Sequence, residues 1–278
     1  MRFGMILPGG TASEQVEQAA LAERSGWDGV FVWEGPYGVD AWTLLGAMAV
    51  VTERVRLGTL LTPLPWRRPW KVASQVVTVD QLSGGRVILT VGLGALTPDL
   101  PVTGEVTGLR ERADLLDEGL DLMRALWSGE ESFHGTHYRY DVEQDDQLAR
   151  AGRPVQDRIP IWTVAVHPRP KSMRRVLRCE GIVPQYDGED VAGNLRAVRS
   201  WLAEHGAAST VDIISQGETP TGDPAAARAV VEPLRDAGAT WWLETNWEMP
   251  HHSPERMRQV RDRLAAGPPV LSSSPSVR

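Results

Sequence analysis

The sequence predicts an α/β fold, a closed (β/α)₈ TIM barrel, and two observations carry that prediction. Short apolar runs alternate with amphipathic stretches from one end of the chain to the other, which implies right-handed βαβ crossovers and a parallel sheet. Eight strand-then-helix units fit into about 250 residues, the arithmetic of a closed barrel. An open doubly wound sheet, which usually has fewer strands, is the second choice. At 42% hydrophobic residues, the chain has material for a substantial core.

Arg2–Leu7 is an apolar strand that stops at Pro8-Gly9-Gly10. Thr11 with Glu14 three residues on is a capping-box signature, and Val16, Ala19, Ala20 and Glu23 follow at helical spacing. Gly29–Trp33 reads as the second strand, with a helix from about Asp40 to Thr52. Strand Val55–Leu61 precedes a helix over Trp70–Leu82, and strand Val87–Val91 runs into Gly92-Leu93-Gly94. The fourth helix, Leu109–Leu126, places Leu115, Leu116, Leu120, Met123 and Leu126 on one stripe. Strand Ile159–Val166 and a basic helix over Lys171–Arg178 form the fifth unit. The last three pair Gly181–Pro184 with Val191–His205, Val211–Ser215 with Pro224–Ala237, and Thr240–Thr245 with Pro254–Ala266. One barrel domain over residues 1–267 results, with an excursion at 130–158 between the fourth helix and fifth strand, expected over one end of the barrel. A Ser- and Pro-rich tail at 268–278 is expected to be disordered.

Composition narrows the function. With 29 basic and 36 acidic side chains the net charge is -7, which disfavours nucleic acid or an anionic membrane surface as partner. No apolar stretch reaches the roughly 18 residues of a membrane span, and Met1-Arg2-Phe3-Gly4 opens a strand rather than a signal peptide, so a cytoplasmic location is expected. A single cysteine, Cys179, excludes an internal disulfide framework, and its place inside a predicted helix disfavours a nucleophile role. The histidines are scattered; neither the adjacent pair His251-His252 nor His134 with His137 makes a metal site, and none is predicted. Tryptophan outnumbers the other aromatics, 11 against 3 Phe and 4 Tyr. Core packing accounts best for most of them.

In barrels of this kind the chemistry collects on the loops that follow the strands. Those loops carry Glu34, Tyr37 and Asp40; Thr59 and Thr62; Gly92 and Gly94; Gln185, Tyr186 and Asp187; Gln216 and Glu218; Glu244 and Asn246. The most informative is His167-Pro168-Arg169-Pro170-Lys171-Ser172, where a strand hands over to a helix. Unsatisfied first-turn N–H groups with Arg169, Lys171 and Ser172 make an anion site, and Gly92-Leu93-Gly94 allows a ligand close to the backbone. A phosphate-bearing ligand across these adjacent loops is one reading. A basic solvent face with the prolines shaping a turn is the other.

Several blocks resemble a known family. They are Ala22–Val32, Thr52–Pro69, Asp80-Gln81-Leu82-Ser83-Gly84-Gly85-Arg86, Val91–Gly94, Leu126-Trp127-Ser128-Gly129, His134-Gly135-Thr136-His137-Tyr138 and Arg158-Ile159-Pro160-Ile161-Trp162. In this order they are similar to the bacterial luciferase-like superfamily of flavin and deazaflavin oxidoreductases. The resemblance implies the same barrel, with FMN or the deazaflavin coenzyme F420 at its C-terminal mouth and the phosphate toward Gly92-Leu93-Gly94 and His167–Ser172, including Pro170. It also implies a non-prolyl cis peptide, here Leu60–Leu61 beside Thr62, backing the ring. Where many deazaflavin-binding relatives carry an acidic residue and a histidine, this chain reads Trp33-Glu34-Gly35.

The expectation is therefore a monooxygenase using reduced FMN, O₂ and a small organic substrate. A separate flavin reductase would supply the cofactor, because no nicotinamide fingerprint is present. Glu34, then Tyr37 and His167, are the candidate catalytic proton handlers. The alternatives are hydride transfer with F420 and a flavin-binding protein without turnover. A homodimer through apolar helices of the second and third units is implied by the resemblance.

Overall fold

The computed structural model describes residues 1–35, 38–96, 104–141, 152–207, 209–245 and 253–272. The strands are β1 (Arg2–Leu7), β2 (Gly29–Val32), β3 (Arg56–Thr59), β4 (Thr62–Pro63), β5 (Val87–Gly92), β6 (Ser132–His134), β7 (Arg139–Asp141), β8 (Ile161–Val166), β9 (Gly181–Gln185), β10 (Asp212–Gly217) and β11 (Trp241–Glu244). The helices are α1 (Ala12–Arg24), α2 (Ala41–Val51), α3 (Pro69–Ser83), α4 (Leu109–Ser128), α5 (Pro170–Val176), α6 (Val191–Glu204), α7 (Pro224–Asp236) and α8 (Pro254–Ala265). Parallel pairing runs β3-β2-β1-β11-β10-β9-β8-β5, and the β3–β5 pair, Leu57 opposite Val87 and Gly58 opposite Ile88, closes the ring. The predicted (β/α)₈ barrel is the observed one.

The third strand departs from its predicted continuity. It breaks after Thr59 and resumes at β4, where Thr62 faces Val91 and Pro63 faces Gly92. Between the halves lies the cis Leu60–Leu61 peptide that the resemblance implied. His167–Pro168 is also cis.

Alternation along the strands sorts side chains into bore and wall. Ile6, Phe31, Leu60, Ile88, Trp162, Val183, Ile214, Trp241 and Leu243 fill the bore. Phe31 stacks on Trp162 at 5.2 Å between ring centroids, and Trp241 meets both rings edge-on. Glycine on the neighbouring strand makes room, since a Cβ at Gly181 would collide with the Trp162 indole. Outward positions pack against the helices in two clusters, one under α1–α4 and α8, the other under α5–α7. At the N-terminal end Arg2 lies 5.0 Å over the Trp241 ring, whose Nε1 donates to Asp212 at 3.3 Å.

The described parts of the excursion lie beside α4 and at the strand starts. β6 and β7 form a hairpin beside α4, where Glu118 accepts from the His137 and Tyr138 N–H groups. Val155 and Gln156 then reach the strand starts, bonded to Asp80, Arg56 and the Val87 carbonyl. Of the tail, residues up to 272 are held on α7, with Ser272 N donating to Glu232 and its carbonyl accepting from Arg235; 273–278 lie outside the described residues. Among the described residues no helix is long and apolar enough to cross a membrane.

Candidate active site

At the C-terminal mouth a cleft of about 580 Å³ opens over β8, β9 and β10. Val166, Val183 and Ile214 give it an apolar floor, and Gln185 and Gln216 set two amides above. Tyr186 and Arg169 stand at its edge. Burial raises the Tyr186 phenol above its ordinary range, so it is a neutral donor near neutral pH. Ser215 adds a buried hydroxyl without a hydrogen-bond partner among the described residues.

The cations of the fifth-strand loop have separated. Lys171 swings to α4 and pairs with Asp114 at 2.6 Å. Ser172 Oγ accepts from the Val166 N–H at 2.9 Å, which braces the turn. Pro170 opens α5, as its fixed φ suits a first helical position. Arg169 is exposed and has no side-chain partner among the described residues. His167 is half-buried, held by its backbone N–H to the Gln185 carbonyl at 2.9 Å. Its ring likewise bonds no described group.

The Gly92-Leu93-Gly94 segment is packed from within. A Cβ at Gly92 would lie 2.7 Å from Leu61, and one at Gly94 2.6 Å from the Trp66 ring. Both glycines therefore serve contacts inside the chain. The Leu93 and Gly94 carbonyls accept from Arg112 of α4 at 3.0 and 2.8 Å. Arg112 is 5% exposed, faces no carboxylate among the described residues, and leaves its Nε unbonded. A buried cation is costly unless compensated; here the two carbonyls and the Trp66 ring, 5.7 Å from the guanidinium, face it. Position in the sequence does not announce Arg112, since it looks like one more charge on an amphipathic helix.

Glu34 sits at the far side of the mouth with both oxygens engaged. One accepts from Thr62 Oγ1 at 2.7 Å; the other pairs with Arg67. Arg67 also donates to Gln75 of α3 at 2.8 Å, and burial lowers its pKa. Thr62 in turn receives Trp42 Nε1 at 3.2 Å, and its Oγ1 lies 3.0 Å from Thr59 Oγ1. Glu34 thus ties the end of β2 to the broken third strand, whose Leu60 lines the bore and whose Leu61 covers Gly92. Arg67, Gln75 and Trp42 escaped the strand-end rule because they come from helices and a connecting turn. Tyr37, Asn246, Trp247 and His251-His252 lie outside the described residues.

Cys179 falls in the turn after α5 rather than inside a helix; burial pushes its thiol up to about 11, so it is inert at neutral pH. Glu244 is buried and saturated by Thr219 N and Oγ1, Trp242 Nε1 and Arg263, which makes it a brace.

A profile of the luciferase-like monooxygenase family matches residues 1–269. Among curated proteins, a putative coenzyme F420-dependent oxidoreductase of Mycobacterium tuberculosis is 33% identical over 196 residues, 68% of this chain and 54% of that one. The F420-dependent glucose-6-phosphate dehydrogenase of Nakamurella multipartita is 32% identical over 166 residues, 56% and 47% of the two chains. The matches span about half the length of these relatives. Among solved structures, a monooxygenase from Streptomyces bottropensis superposes with a TM-score of 0.74 at 20% identity, covering 96% of this chain and 98% of that one. An F420-dependent secondary alcohol dehydrogenase gives 0.75 at 18% identity over 95% and 97%. Both share the fold.

Proposed function

This chain belongs to the luciferase-like monooxygenase family of oxidoreductases, and from that premise we propose that it transfers hydride with coenzyme F420. The observation that supports a phosphate-bearing ring cofactor is a pair of guanidinium groups that face no carboxylate among the described residues, Arg169 in the loop after β8 and the buried Arg112 of α4, which bonds the carbonyls that follow β5. The sequence alone favours FMN; the F420 dependence named for the two curated relatives described above shifts the choice.

Bound here, a deazaflavin would supply hydride transfer. Arg169 and Arg112 would hold its phosphate, and Leu60–Leu61 would lie behind the ring. Val166, Val183 and Ile214 would keep water from the floor, and Gln185 and Gln216 would offer amides to the ligand. His167, whose ring bonds no described group, is the proton carrier at the mouth; Glu34, locked to Thr62 and Arg67, is a positioning residue.

The second reading is the FMN monooxygenase. One observation favours it: with Lys171 committed to Asp114, the loop keeps one cation, Arg169, without a partner among the described residues, enough for a single phosphate and little else. Titrating the protein with F420 and with FMN, each oxidised and reduced, separates the two. Spectral shifts with F420 alone, and cofactor reduction without oxygen uptake, are expected. Tight binding of reduced FMN with substrate-linked oxygen uptake establishes the monooxygenase instead, and binding of neither cofactor defeats both. We infer further that the chain pairs with a second copy through α2 and α3.

A further inference from the structure

β9 and β10 part before their ends. β9 stays paired with β8 over five positions, up to Gln185 opposite Val166, and β10 with β11 over four, up to Gly217 opposite Glu244. Between β9 and β10 the pairing covers two positions, Gly181 with Asp212 and Ile182 with Ile213. The cause is Pro184. The Ile213 and Gly217 carbonyls accept from Thr240 and Thr245 on the β11 side, whereas the Asp212 N–H donates to Glu180 on the β9 side. Alternate residues of a parallel strand face alternate neighbours, so Ile214 faces β9. The Gln185 carbonyl accepts from His167 on the β8 side, so position 184 faces β10. The next ladder bond would run from the N–H of residue 184 to the Ile214 carbonyl, and proline has no N–H. That carbonyl is left without its ladder donor.

The cleft at the mouth opens over this place. Val183 and Ile214 of the bore line it, and so do Pro184 and Ser215, which alternation turns toward the wall. Ile182 and Ile213, on the same outer side, pack under α5–α7. In this apolar setting Ser215 is 4% exposed, and its Oγ bonds no described group. A carbonyl short of a donor and a hydroxyl short of a partner are thus consecutive in the chain and border one slot. Such groups are costly to bury unless something bonds them.

We propose that this slot takes the edge of a planar cyclic imide, an N–H flanked by two carbonyls. The N–H donates to the Ile214 carbonyl, and one flanking carbonyl accepts from the Ser215 hydroxyl. Gln185 and Gln216, which line the same cleft, supply the amide donor for the other. A carboxylate or phosphate offers the Ile214 carbonyl no hydrogen, and a lone hydroxyl leaves the glutamine amides unused. The rings of F420 and FMN both end in such an edge, and a separate imide substrate has the same chemistry. The ring-anchoring role rests on the cofactor reading; the slot does not.

1-Methylthymine carries this edge alone, and 1,3-dimethylthymine lacks its donor. Saturation-transfer NMR on the full chain should show 1-methylthymine bound and the dimethyl compound at least about tenfold weaker. Ser215→Ala should weaken 1-methylthymine about tenfold while the urea midpoint stays unchanged or rises, since the hydroxyl it removes bonds no described group. A merely structural serine would lower the midpoint and leave the probe alone. Pro184→Ala returns an N–H that competes for the Ile214 carbonyl, and should weaken the probe by a similar factor. Titration of F420 or FMN against the bound probe separates the two sources. Displacement assigns the slot to the cofactor ring, simultaneous binding assigns it to a substrate, and both support the slot. Three results overturn it: no binding of 1-methylthymine, equal binding of the dimethyl compound, or full probe affinity in Ser215→Ala. If neither cofactor binds while the probe still separates wild type from Ser215→Ala, the cofactor reading falls and the slot stands. If a cofactor binds and the probe does not, the slot alone falls.

Discussion

Arg169 and Lys171 are two residues apart and have opposite fates, which makes them a sharp pair for mutation. Lys171 is exposed and paired with Asp114, an ion pair of the kind worth little on a surface. Arg169 is unpaired at the rim of the cleft. Arg169→Ala should weaken cofactor binding by about tenfold or more, the loss of a charge-assisted bond. Lys171→Ala should stay within about twofold. Calorimetric titration of both variants checks this, and equal losses would show that Lys171 leaves Asp114 to reach the ligand. The sequence places both on the right loop but cannot divide their labour. That division depends on Asp114, 57 residues upstream. The same holds for Glu34: its place after β2 is legible, whereas its engagement by Arg67, 33 residues away, needs the closed barrel.

At the scale of elements, the chain secures its connections with single side chains. Glu23 of α1 accepts from the Glu53, Arg54 and Val55 N–H groups ahead of β3. Burial pulls its pKa upward, but these bonds outweigh it and leave the carboxyl below its ordinary value. A depressed folded pKa gives stability that is present above the unfolded value near 4.3 and lost as pH falls through the folded one. Glu23→Gln should therefore lower stability by about 1 kcal/mol near neutral pH. The deficit should shrink below about pH 4 in urea melts across pH. On the other side of the barrel Arg175, 3% exposed, meets Asp117 through two bonds of 2.6 and 3.0 Å and joins α5 to α4. Element order and type were legible because burial imposes periods of about 3.6 and 2. Helix ends follow local rules: the Thr11–Glu14 box appears where the sequence puts it, and Asp40 caps α2. The break in the third strand is different. Thr-Leu-Leu-Thr reads as one continuous strand, and only the resemblance pointed to the peptide that interrupts it.

On the whole molecule, one outer face is out of keeping with the rest. α2 has no charged residue in its 11 positions, and it exposes Val50 at 65% and Val51 at 46%. Trp70 and Leu82 of α3 are 57% and 48% exposed. Exposed apolar side chains on adjacent helices suit a self-complementary contact with a second copy. Sedimentation should give a dimer for the wild type and a monomer for Val50→Glu with an unchanged circular dichroism spectrum. A wild-type monomer at micromolar concentration would remove the dimer. The opposite end of the barrel axis has a consequence of its own. Phe31, Trp162 and Trp241 fill the bore, and Arg2 with Asp212 closes the ring of strand starts beneath them. Among the described residues the filled bore offers no way through from below, so whatever the mouth holds comes and goes through the same opening, and the order of arrival and departure becomes a matter of traffic.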